Sequence, residues 1–121
     1  MLQAEFAKRL AQAYAGRKRA WIAVAQTPHG MIPVALVTAV ADGHRLYPHV
    51  AWFPDAGARN KMEVAVKFFD TIGREHLLIV VAEPTDIPFC RRLCRYTKAR
   101  EVGYIGGYYR DRDGTIFVSH E

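Results

Sequence analysis

The sequence predicts an α+β domain. It has a mixed central sheet that begins as an antiparallel meander, then a crossover helix, a central strand, a second helix and a C-terminal hairpin. Three observations predict it. Short apolar blocks separated by turn signals fill residues 20–53. Two later segments carry apolar residues at three- and four-residue spacing. The block between those segments, "HLLIVVA", shows no alternation, as in a strand covered on both faces. The chain has 121 residues, 50% hydrophobic and 24% charged, which suits one domain over residues 1–121 with a packed core.

Residues 2–15 place Leu2, Phe6, Leu10, Ala13 and Tyr14 on one helical face, and Gly16 ends that helix. Residues 20–26, "AWIAVAQ", form a first strand, and Thr27-Pro28-His29-Gly30 turns the chain. Residues 31–40, "MIPVALVTAV", form a second strand in which Pro33 marks an edge or a bulge. Asp42-Gly43 is a strong hairpin signal before the third strand, residues 45–53. The crossover helix spans residues 58–72, with Met62, Ala65, Phe69 and Ile72 as its apolar stripe and Gly73 as its end. Residues 76–82 are the central strand, expected to pair in parallel. Thr85 or Asp86 caps the next helix, and Pro88 fits its first turn. Phe89, Cys90, Leu93 and Cys94 face inward there, and Arg91, Arg92 and Arg95 face outward. Two short strands flank Arg110-Asp111-Arg112-Asp113-Gly114 as a closing hairpin.

The composition narrows the function classes. No apolar run approaches the roughly 18–20 residues that cross a bilayer, and the N-terminus lacks the apolar core of a secretory signal. Cys90 and Cys94 are four residues apart in a helical pattern, a poor disulfide geometry, with no His cluster for a metal. Reduced thiols and a cytoplasmic protein without a metal site are expected. The formal charge of +5 gathers at Arg17-Lys18-Arg19, at Arg59 and Lys61, and along Arg91, Arg92, Arg95, Lys98 and Arg100. Such a balance favours anionic partners, or is simply the solvated surface of a small domain.

Three segments carry a family resemblance. "VAWFPDAGARNKMEVAVKFF" is a strand, a small-residue turn and a helix opening on basic residues. "HLLIVVAEP" is a central strand, and "PFCRRLCRYTKAREVGYIGGYY" is a helix followed by a strand. Together with the element order, they resemble the GNAT superfamily of acyl-CoA-dependent N-acetyltransferases over residues 20–121, with the N-terminal part of that fold shortened. In compactness the chain is similar to small GNAT-like proteins encoded by bacteriophages.

The resemblance implies direct acyl transfer from acetyl-CoA or another acyl-CoA to an amine of a protein or small molecule. The acyl-CoA would lie between two parting strands, its pyrophosphate on the helix N-terminus formed by Gly57, Ala58, Arg59, Asn60 and Lys61. Arg59 and Lys61 would add charge-assisted contacts. Trp52 and Phe53 would wall an acyl pocket, or serve only as core residues.

Departures from the family pattern define a second expectation. The family's loop Arg or Gln falls on Gly57, and its two loop glycines fall on Asn60 and Met62, where Met62 would crowd a phosphate. The general-acid tyrosine falls on Cys90, whose thiol could protonate a leaving thiolate. No carboxylate stands where the family's base does. His49 and His44 are the substitutes on offer, because an imidazole accepts protons near neutrality. The plainer reading makes His44 a turn residue and His49 a partly buried, hydrogen-bonded one, with both cysteines small core side chains rather than a redox pair. A catalytically degenerate scaffold that binds a host or partner protein is therefore the alternative, and it would act in the host cytoplasm if phage-encoded. Tyr104, Tyr108 and Tyr109, with Gly103, Gly106 and Gly107, form an aromatic-glycine strand. No RNA-recognition signature accompanies it, so an acceptor or partner surface is expected there rather than nucleic acid. An exposed edge after the hairpin leaves a homodimer open.

Overall fold

The computed structural model describes residues 19–120; the helix expected over residues 2–15, with Gly16, Arg17 and Lys18, lies outside them. The described elements are β1 (Arg19–Thr27), β2 (Gly30–Asp42), β3 (Arg45–Trp52), α1 (Ala58–Glu75), β4 (Leu77–Ala82), a 3₁₀ turn (Pro84–Asp86), α2 (Ile87–Tyr96), β5 (Arg100–Ile105) and β6 (Gly114–Val118). They build a six-stranded sheet in the order β1-β2-β3-β4-β6-β5.

The expected meander is present, with β1, β2 and β3 antiparallel in sequence. Pro33 lies beside the register shift at Ala23/Val24, where β1 skips a residue of β2. Proline has no N–H to give a ladder, and a bulge removes the need for one. Trp21, Ala23 and Ala25 of β1 and Ala35, Val37 and Ala39 of β2 meet Val64, Phe68, Phe69 and Ile72 of α1. Trp21 and Phe68 meet edge to face at 5.2 Å between centroids.

The crossover helix is longer than its sequence signals. It runs through Gly73 to Glu75, and His76 donates its N–H to the Ile72 carbonyl at the end. Gly73 is kept small by packing, since a Cβ there would stand 3.3 Å from the Ser119 Cβ. Glycine costs a helix about 1 kcal/mol of propensity, and tertiary packing overrides that preference here. No side chain of Thr85 or Asp86 caps α2; a 3₁₀ turn leads into it with Asp86 at the N-cap position. Pro88 sits in the first turn as expected.

The central strand departs from its expected double burial. Only Leu78 and Ala82 of β4 are buried. β4 pairs antiparallel with β6 along Ile79–Ala82. With β3 it pairs in parallel at two positions alone, Arg45 with Leu77 and Leu46 with Leu78. Beyond Leu46 and Leu78 the two strands separate, and that separation organises the rest of the molecule. Leu46 and Leu78 are fully buried beneath α1 and pin the closed end. On the far side, Phe117 and Ala82 pack with Cys90, Ile87 and Phe89 of α2.

Candidate functional site

The site grows from the gap between β3 and β4. Backbone direction on β4 follows from three bonds. Leu78 bonds Ser119 through its carbonyl at 3.0 Å and through its N–H to the Ser119 Oγ at 2.9 Å. Leu77 donates its N–H to the His44 carbonyl at 2.9 Å. Alternation then turns the peptide groups of Ile79 and Val81 away from β6 and into the gap. A strand edge left unpaired inside a fold is a template for a ligand that carries amides of its own.

At the open end, β3 passes through Phe53, Pro54, Asp55 and Ala56 into α1. The Phe53 N–H donates to the Val34 carbonyl at 2.9 Å, and the Ala56 N–H donates to the Phe53 carbonyl at 3.1 Å, which fixes the turn. Gly57 is the N-cap residue, with φ 78° and ψ 150°, and no side chain caps the helix. Only glycine adopts that backbone readily, and a Cβ there would face open space. The first helical bond runs from the Lys61 N–H to the Gly57 carbonyl. The amides of Ala58, Arg59 and Asn60 are thus left without intrahelical partners. The first turn contains no acidic residue. An N-terminus of this kind, flanked by Arg59 and Lys61, is favourable to an anion.

Met62 lies one turn beyond these amides. It is buried and lines the floor of the groove between the helices with Ala58 and Arg59. Arg59 is ion-paired with Glu63 at 3.2 Å and highly exposed; such a pair is weak and easily exchanged for another anion. Lys61 Nζ lies 5.7 Å from the centroid of the Trp52 ring. Trp52 also meets Phe89 of α2 at 5.7 Å, with the rings near perpendicular. This aromatic pair spans the mouth of the gap. Beyond it a groove of about 770 Å³ runs between the helices, lined by Arg59, Met62, Lys67, Asp70, Arg92 and Tyr96 among others.

The expected catalytic residues fare unequally. His49 is exposed at mid-β3, opposite Thr38, rather than partly buried. Alternation from the buried Leu46 points it to the sheet face away from α1. His44 sits in the β2–β3 turn at the closed end, eight residues and roughly 25 Å from Trp52 along an extended strand. The structure does not bring it to the mouth.

Cys90 is buried against Ala82 and Phe117. Burial, with Asp86 and Cys94 nearby, pushes its thiol up to about 12. Cys90 is a core side chain, packed rather than presented to the gap. Cys94 is also raised, first by desolvation, and neither cysteine is in a disulfide.

Sequence reasoning placed Tyr109 on an acceptor or partner surface without its contact to β4, and passed over Glu83 beside it. Tyr109, in the β5–β6 loop, donates its hydroxyl to the Val81 carbonyl at 2.8 Å, the carbonyl that faces the gap. Glu83 and Asp86, just past β4, lie close enough to raise the Tyr109 phenol, and Glu83 is held by Arg112 at 3.3 Å. No short-range pattern announces these neighbours, because residues 28 apart in the chain meet only through the β4–β6 pairing. Among the described residues no cluster of His, Cys, Asp or Glu could hold a metal ion, and no helix is long and apolar enough to cross a membrane.

No protein-family model and no curated protein matches the sequence. Solved structures do match. A chimera built on the spermidine N-acetyltransferase SpeG of Vibrio cholerae superposes with a TM-score of 0.66 at 12% identity, over 98% of this chain and 75% of that one. The Vibrio cholerae spermidine N-acetyltransferase in complex with CoA and spermine gives 0.65 at 12% identity, over 97% and 72%. An acetyltransferase from Bacillus cereus gives 0.55 at 11% identity, over 99% and 92%. Parted parallel strands, an uncapped helix start at their open end and these superpositions agree: the chain has the fold of the GNAT-type N-acetyltransferases.

Proposed function

We infer that the protein binds an acyl-CoA across the gap between β3 and β4 and transfers its acyl group directly to an amine. The observation that carries this reading is the two-residue pairing of β3 with β4, which leaves strand amides open beside the free N-terminus of α1. The pantetheine amides would pair with the peptide groups of Ile79 and with the Val81 N–H, the Val81 carbonyl already accepting from Tyr109. The pyrophosphate would rest on the amides of Ala58, Arg59 and Asn60, with Lys61 beside it. Trp52 and Phe89 would border the pantetheine, and Phe53 would brace the turn. The nucleotide end would follow the groove past Lys67, Arg92 and Tyr96. His49, exposed on the opposite face of β3, is our candidate for receiving the amine proton through water. Orientation of the two substrates, and strand N–H groups aimed at the developing oxyanion, supply the rest.

A simple amine or polyamine is the acceptor class we propose, since a structural neighbour holds spermine together with CoA. The exposed strand β5, with Tyr104 72% accessible, favours a second reading: a scaffold that binds a partner protein there without catalysis. A phage source has no support beyond the compactness of the sequence.

Calorimetric titration with CoA and acetyl-CoA separates the two readings. Micromolar binding is expected, with at least a tenfold loss in Arg59→Glu and Lys61→Glu, about 1.4 kcal/mol or more. At a hundred times the dissociation constant the ligand stabilises the fold by about 2.7 kcal/mol. Absence of binding at millimolar ligand sinks the transferase reading.

A further inference from the structure

Among the described residues the sheet ends on β5, and every residue of that strand is exposed. We propose that this edge, with the basic side of α2 above it, is a docking strip for a short extended segment of a partner protein that alternates acidic and apolar side chains. The proposal gives a chemistry to the partner of the second reading, and it holds whether or not the gap transfers acyl groups.

Backbone direction supplies the pairing groups. Ser119 donates its N–H to the Leu78 carbonyl of β4. Alternation along β6 then turns the peptide groups of Gly114 and Ile116 to β5, where they oppose Ile105 and Gly103. Tyr104, between those two, has its own N–H and carbonyl turned outward, where an added strand can pair with them. The register shift between Glu101 and Gly103 bends the edge just before this point. The regular stretch is therefore short, which suits a linear segment better than the edge of another sheet.

Side-chain direction supplies the pattern. Glu101 and Tyr104 oppose Phe117 and Thr115 of β6, and Phe117 packs beneath α2. Glu101 and Tyr104 thus stand on the α2 face of the strand. Arg91 of α2 reaches down to that face and donates to the Glu101 carboxylate at 2.9 and 3.3 Å. The pair is exposed, so it exchanges readily for another carboxylate. Arg95 follows one turn later on the same side of the helix, and Lys98 lies in the turn beyond; both are exposed. A strand laid on β5 sets every second side chain on this face, beside these cations, where carboxylates fit. The intervening side chains fall on the other face beside Ile105, which is 43% exposed, where apolar groups fit.

Charge selects among occupants. Residues 91–101 carry an excess of four positive charges. A two-fold contact between copies of this chain would set that charge against itself. A nucleic acid would answer the charge, but it has no backbone amide to meet the peptide group of Tyr104.

The test is fluorescence anisotropy with a short labelled peptide that alternates Glu and Val. Micromolar binding is expected. Replacing Glu by Lys in the peptide, or N-methylating its backbone, should weaken binding about tenfold or more. So should Arg95→Glu combined with Lys98→Glu, and so should a rise in salt from about 0.1 M to 1 M, which shortens the screening length from roughly 10 Å to 3 Å. The salt and N-methyl arms use the native chain and decide the matter even where the double variant fails to fold. No binding at millimolar peptide, equal binding of the N-methylated or Lys peptide, insensitivity to salt, or tighter binding of oligothymidylate overturns the proposal. Calorimetry with acetyl-CoA reads the gap separately, and its outcome leaves this test unchanged.

Discussion

The two halves of the sheet are built differently. Strands β1, β2 and β3 pair along nearly their full lengths and share one core with α1. Strands β4, β6 and β5 form a second antiparallel unit that shares its core with α2. Only two residue pairs join the halves in the ladder. Each half is ordinary β-structure. The candidate site falls at the seam, where two well-ordered units stop pairing and expose peptide groups without loosening either one.

The largest test asks whether the halves stand or fall together. Phe117 is 2% exposed beneath α2, and Phe117→Ala should cost about 3–5 kcal/mol. If α1 and the pinned Leu46–Leu78 contact couple the halves, the variant melts in one transition at lower temperature. Two transitions in calorimetry would show that the seam divides folding as well as the sheet.

A second test uses pH to single out the α2 half. The Cys90 thiol is raised in the folded state, so above about pH 8.5 the unfolded chain loses a proton that the folded chain retains. Stability from this group therefore falls as pH rises towards about 12. A loss of roughly 2 kcal/mol by pH 10.5 is expected from Cys90. Cys90→Ala should flatten that slope, whatever it costs near neutrality; an unchanged slope in denaturant titrations would refute the assignment.

The smallest effect belongs to the α1 half at its open end. Gly57→Ala places a Cβ on a positive-φ residue and should cost about 1–2 kcal/mol. The Cβ enters open space, so the native contacts remain and the cost is conformational. An unchanged melting temperature would mean that the turn relaxes to another backbone.

Much of this architecture was legible in the sequence, and the illegible part has a physical reason. The strands, the hairpin at Asp42-Gly43 and both helices follow from local period and turn chemistry, which neighbouring residues encode. Gly73 was misleading because its small size serves a contact with Ser119, 46 residues away in the chain. Met62 fits an apolar helical stripe in the sequence, but it lines the groove between the helices, whose second wall lies 30 residues further along the chain. The parting of β3 from β4 has no local signature, since each strand would look the same fully paired. Tyr109 belongs to the same class: its partner Val81 is a backbone carbonyl, which no side-chain pattern can announce.

Trp52 has an optical consequence. The protein has two tryptophans, and Trp21 is held edge to face against Phe68 on the core side of the sheet. Trp52 touches the edge of that same core and also stands between Lys61 and Phe89 at the mouth of the gap. Its emission depends on whether a cation and a phenyl ring stay beside it, whereas Trp21 reports on the integrity of the core. Should the proposed ligand bind, the chain carries one intrinsic fluorophore for occupancy and another for folding, and Trp21→Phe would isolate the first without a foreign label.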